Sequence, residues 1–257
     1  KIAGFTQFGT SALFDGSNEV NGVTIGDGLT FTSASALTHQ SPTKQGYTID
    51  IEQLAKRSEV VASRGISLEE IENGVLFVLK ENNRVLKMET NQEKNLKENI
   101  KQVLGNYHRK SPTFTREKTE AKLHDLIATA LQIKSDEIGL QVAISINELG
   151  MLTVKHKQHG SKPTFGISTN IQGLFGEEVG TIKLSERGQD VSGYIGGDLA
   201  MGVGQFLHGA KGTPTEGIIV QYDKELGDRL EEIKDVQGRV IGQKIVQQTS
   251  EELVGRD

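Results

Sequence analysis

The chain has 257 residues, with 29 Lys and Arg against 34 Asp and Glu for a net charge of −5, no Cys, no Trp and 35% hydrophobic residues. That length accommodates one large or two smaller domains, and the low apolar fraction argues for thin β-rich or small α/β units over one deep core. Net acidity excludes a generally basic nucleic-acid binder, and the absence of Cys excludes disulfide scaffolds, thiol nucleophiles and Cys-type zinc sites.

No run nears the ~18 consecutive apolar residues of a membrane helix, so no membrane insertion is expected. Lys1 is followed by nothing resembling a signal peptide, which predicts an internal piece of a longer protein. Residues 1–46 are rich in Gly, Ser, Thr and Asn, and Gly4, Gly9, Gly16, Gly22, Gly26 and Gly28 mark turns between short strands or a loose lead-in. Tyr47, Ile49 and Ile51 alternate with Thr48, Asp50 and Glu52, the pattern of a strand with one wet face. Leu54–Ser63 is too short to assign as a helix. The apolar run at 75–80 and the alternation at 84–89, separated by Glu81, Asn82 and Asn83, predict a hairpin.

Leu96, Ile100, Val103 and Leu104 then fall at helical spacing, with Gly105 placed to end the helix. After the break at Ser111, Pro112 and Thr113 comes the clearest helix, 117–133, N-capped by Thr115 and striped by Leu123, Leu126, Ile127, Ala130 and Leu131. Strands at 140–146, 151–156 and 164–168 follow and predict a small antiparallel sheet with that helix on one face. From Gly188 to Gly217 nine of thirty residues are glycine, with short strands near 191–195 and 218–222. Residues 223–235 predict a helical turn or exposed loop, and 239–247 a last strand.

Most chemistry-bearing patterns are missing. The glycine-rich stretch contains neither GxxxxGK[ST] nor a strand-to-helix GxGxxG, so it predicts turns and bulges and no nucleotide cofactor. His156 and His159 have a metal-compatible spacing but no carboxylate arranged as in HExxH, and they read as surface histidines. With no GxSxG elbow and no metal cluster, no catalytic residue, cofactor or metal is assigned and an enzyme is not expected. Residues 80–124 carry 11 bases and 6 acids, a local +5 that leaves −10 for the rest. Lys97, Lys101 and Lys122 are therefore candidates for contact with an acidic partner or a neighbouring copy, against the plainer reading of solvated helix faces.

Two stretches carry a resemblance. GYTIDIEQLAKRSEVVAS, from Gly46 to Ser63, and DVSGYIGGDLAMGVGQFLHG, from Asp190 to Gly209, followed by EGIIVQY, resemble the flagellar filament capping proteins, also called hook-associated protein 2. Residues carrying it include Gly46, Tyr47, Gln53, Leu54, Ala55, Asp190, Val191, Gly193, Gly202, Gly204 and Gln205. A weaker match is the helix–strand–strand segment ending in GSKPTFGIS, similar to a repeat in outer parts of flagellins and cap proteins. Lys56 and Arg57 stand where the family more often has small residues, and the helical stretch within 64–115 has no counterpart in these motifs.

The resemblance implies an α+β, β-rich fold of two small domains. A discontinuous β-rich base would comprise 47–90 and 188–257, with 1–46 as lead-in, and 91–187 would be an inserted antiparallel sheet covered by one or two helices. It further implies a secreted homo-oligomeric ring at the flagellar tip, with flagellin and the hook–filament junction proteins as partners and coiled-coil legs outside this chain. The outer domain of flagellin or another hook-associated subunit is the nearest alternative. A surface adhesin for host glycan or mucin is the alternative of a different class.

Overall fold

The computed structural model describes residues 2–8, 22–25, 28–42, 46–110, 113–176, 178–223, 228–234 and 240–247; for 2–8, 22–25, 228–234 and 240–247 only the backbone is described. Strands β1 (Ile2–Phe8), β2 (Gly22–Ile25), β3 (Leu29–Ser33), β4 (Tyr47–Gln53) and β5 (Arg57–Val61) come first. Helix α1 (Leu68–Asn73) precedes the hairpin β6 (Leu76–Glu81) and β7 (Arg84–Glu89), then α2 (Lys94–His108) and α3 (Arg116–Glu137). Next are β8 (Val142–Ile146), β9 (Leu152–His159), β10 (Gly166–Thr169), β11 (Lys183–Leu184) and β12 (Ser192–Ile195). The last are β13 (Asp198–Val203), β14 (Phe206–His208), β15 (Ile219–Tyr222), β16 (Asp228–Lys234) and β17 (Val240–Gln247). The fold is α+β and β-rich.

Two compact units share these elements. The first comprises Lys1–Arg57, Gln158–Pro163 and Arg187–Leu226, and the second Ser58–Lys157, Thr164–Glu186 and Gly227–Asp257. The expected base domain ran to residue 90, but 58–90 lies in the second unit. The reason is visible in its core, where Phe77, Leu79 and Met88 share one apolar cluster with Leu123, Ile127 and Leu131 of α3.

The first unit is one antiparallel sheet in the order β2-β1-β4-β12-β13-β14-β15-β3. Its end strands β2 and β3 are sequence neighbours that also approach each other in space, so the sheet curls toward closure. The alternation read in 47–52 is realised: Tyr47, Ile49 and Ile51 are buried together with Val191, Ile195, Leu207 and Val220.

The second unit holds a sheet β11-β10-β6-β7, a sheet β5-β9-β8 and the ribbon β16-β17, with α1 to α3. Helix α1 opens on a capping box in which Ser67 accepts from the Glu70 amide and Glu70 accepts from the Ser67 amide. Hydrogen bonds from Arg64 outweigh the effect of burial and hold the Glu70 carboxyl down at about 2. Thr115 caps α3 as expected, and Leu123, Ile127 and Leu131 are fully buried.

Within the stretch too short for a helix, residues 57–61 form β5. Three local expectations are corrected. Residues 228–234, expected in a helical turn or exposed loop, form β16. Gly105 lies inside α2, which continues to His108; the left-handed residue is Lys110 at φ 53°, and the Arg109 Nε donates to the Gly105 carbonyl. The strand expected to complete the helix-covered sheet pairs instead with β6, Ile167 opposite Leu79, while β5 flanks β9.

Candidate functional site

The two motif stretches fold side by side in the first unit. Strand β4 pairs antiparallel with β12, Gly193 opposite Ile51 and Tyr194 opposite Asp50, with a bulge between Ser192 and Gly193. The Gln53 side chain donates to the Asp190 carbonyl from 137 positions away in sequence. Gly46, at φ 93°, turns the chain into β4. Buried Tyr47 donates its hydroxyl to the His39 carbonyl at 3.0 Å, and burial, aided by Asp198, pushes its pKa up. Leu54 and Ala55 pack against the same core.

The glycines of the second stretch sit where backbones touch. A methyl at Gly193 would overlap the Asp50 carbonyl oxygen, and one at Gly202 the carbonyl oxygen of Val191. Asp190 organises the neighbouring turns: its carboxylate accepts from the Ser161 hydroxyl at 2.5 Å and from the Gly204 amide at 2.7 Å, while the Val191 amide donates to the Gly204 carbonyl. Burial raises the Asp190 pKa, but these hydrogen bonds outweigh it and hold the carboxyl below its ordinary value. Gln205 accepts through its carbonyl from the Tyr222 amide, binding the β13–β14 turn to β15. Gly160 and Ser161, which complete this knot, open the GSKPTFGIS stretch of the weaker match, but nothing in the sequence linked them to Asp190.

The candidate lysines lie in the second unit. Exposed Lys97 and Lys101, one helical turn apart on α2, line a groove of about 240 Å³ whose walls include Ile71, Thr90, Ile100 and Leu104. Lys122, on α3, lies over the Phe114 ring at 5.5 Å and is not among the residues lining that groove. Two of the three lysines therefore share one feature, an apolar slot whose rim carries both of them and the acid Glu72.

His156 is not the surface histidine its spacing suggested. It is buried, its Nε2 lies 3.0 Å from Glu81, and the second Glu81 oxygen accepts from the Gln141 amide. Its neighbours are tied to other elements: Lys155 faces Glu59 of β5 at 3.5 Å and Lys157 faces Asp136 of α3 at 2.7 Å. Among the described residues no group of three or more His, Asp or Glu is arranged to hold a metal, and no helix is long and apolar enough to cross a membrane.

These features define an α+β, β-rich protein whose distinctive residues pack backbones together or sit on exposed helix faces. No family model and no curated protein matches the chain. Among solved structures it is similar to the D2–D3 domains of the flagellar cap protein FliD from Serratia marcescens, at 12% identity, covering 87% of this chain and 100% of that one, with a TM-score of 0.43. It is similar also to the D1–D2–D3 domains of Escherichia coli FliD, at 11% identity over 98% of this chain and 58% of that one, TM-score 0.41. The corresponding E. coli D2–D3 structure gives 10% identity, 96% and 100% coverage and the same TM-score of 0.41.

Proposed function

We propose that this chain is the head region of a flagellar filament cap subunit, a secreted protein that forms a ring at the filament tip, retains exported flagellin there and promotes its polymerisation. Its partners are then copies of itself, flagellin and the hook–filament junction proteins. The observation that carries the reading is the meeting of the two motif stretches: residues that resemble the family in separate parts of the sequence pair as β4 and β12, with Gly193 backed on Asp50. A shared motif that forms one packed unit is stronger support than two motifs with no physical relation. A chain without Cys suits a subunit that must refold after export, since no disulfide has to be re-formed.

Deleting the gene tests the reading. Short or missing filaments, unpolymerised flagellin in the medium and rescue by the full-length gene are the expected results. Normal filaments in the deletion strain would overturn it, and if a saturable ligand then appeared on a glycan array, the adhesin reading would replace it.

A further inference from the structure

In the first unit β4 turns Thr48, Asp50 and Glu52 outward, the usual wet face of an antiparallel sheet. Strand β13 does the opposite: Ala200 is buried and the outward row is Leu199, Met201 and Val203. The register places Tyr194 opposite Leu199, His208 opposite Met201 and Phe206 opposite Val203, so Met201 is the middle of an apolar row that carries no carboxylate, lysine or arginine. A chain without Cys has thioethers as its only reactive sulfurs, and its three methionines differ sharply in access. Met88 is 0% exposed, Met151 is partly buried against the core of the second unit, and Met201 is 63% exposed.

We propose that Met201 is a site of reversible oxidation by peroxides, and that its sulfoxide turns the outward face of β13 from apolar to polar. In the forward step a sulfur lone pair attacks one peroxide oxygen: the O–O bond breaks, an S–O bond forms, and the second oxygen leaves as water, or as an alcohol from an organic peroxide. Sulfur gives up two electrons and the peroxide takes them. A thioether accepts hydrogen bonds weakly, whereas the sulfoxide oxygen is an acceptor on a polar, chiral side chain. Donors for it are at hand. The groove that Met201 lines is lined also by His208 and Lys211, and directly opposite residues of an antiparallel pair hold their Cβ atoms only about 4.5–5.5 Å apart. The oxidised side chain therefore exchanges apolar contact for hydrogen bonds without leaving its strand. No thiol in this chain competes for the oxidant or reduces the product. The return step belongs to methionine sulfoxide reductases, which pass two electrons from a thiol pair to the sulfoxide and release its oxygen as water. The inference goes beyond the proposed function and does not depend on it.

Treating the full chain with dilute hydrogen peroxide and mapping its peptides by mass spectrometry tests the site, and hydrophobic-interaction chromatography tests the effect on the surface. Met201 is expected to gain one oxygen atom at least about tenfold faster than Met88, and the oxidised protein to elute earlier than the untreated chain. The two stereospecific sulfoxide reductases together should restore the original elution. Met201→Leu keeps comparable bulk and apolar character, so it should fold, elute with the untreated chain and no longer respond to peroxide. Comparable oxidation of Met88 and Met201 in the folded chain, an elution shift that the reductases leave in place, or the same shift in Met201→Leu would overturn the proposal.

Discussion

A glycine can be required for its backbone angles or for the atoms it lacks, and the first unit uses both. At Gly197 the backbone is left-handed, φ 88°, but nothing lies within 4 Å of where a Cβ would stand. At Gly202 the backbone is ordinary and the Cβ position is already taken by the Val191 carbonyl. Gly197→Ala should therefore cost only the left-handed strain of an L-residue, about 1 kcal/mol. Gly202→Ala must push two strands apart and should cost about 3 kcal/mol or more. Denaturant titration of both variants by circular dichroism checks the order; equal losses would mean that the β13 backbone is not packed against Val191 as described. The glycine spacing visible in the sequence did not distinguish these two roles, because one is set by how closely the chain folds back on Val191, which spacing alone does not show.

At the scale of elements, strand β8 is an end strand in its sheet order, β5-β9-β8. A buried end strand would normally leave backbone groups without partners. Gln132 of α3 supplies them: its Nε2 donates to the Val142 carbonyl at 3.2 Å and its Oε1 accepts from the Ile144 amide at 2.7 Å, so one side-chain amide imitates a further strand. Gln132→Leu keeps comparable bulk but abandons both groups, and at about 1–3 kcal/mol for each should destabilise the second unit by roughly 3 kcal/mol. An effect below ~0.5 kcal/mol in thermal melts would show that β8 finds other partners. The helix carrying Gln132 was legible, since Leu123, Ile127 and Leu131 recur at its period and Thr115 marks its start. The role of Gln132 was not, because a polar residue beside an apolar stripe looks the same whether it faces water or a strand edge. His156 misled for the same reason: alternation identifies a strand's faces only when one of them is wet, and β9 is buried on both sides through Lys155 and His156. The pairing of β10 with β6 was beyond reach too, as a period of two gives faces but names no neighbour.

Charge acts over the whole molecule. The +5 of residues 80–124 is offset by −10 elsewhere, so two copies attract when the α2 lysines of one meet acidic surface of the other, and they repel in most other orientations. Such a contact is head-to-tail, joining unlike faces, and can propagate round a ring. Salt tests it. Exposed lysine–carboxylate contacts fade as the screening length falls from about 30 Å at 0.01 M to about 3 Å at 1 M. Species larger than a single chain are therefore expected at low ionic strength and should dissociate as salt rises. Reversing Lys97, Lys101 and Lys122 to Glu should abolish the larger species at every salt concentration. An oligomer mass that ignores both salt and the triple reversal would remove these lysines from any subunit contact and return α2 to an ordinary solvated helix.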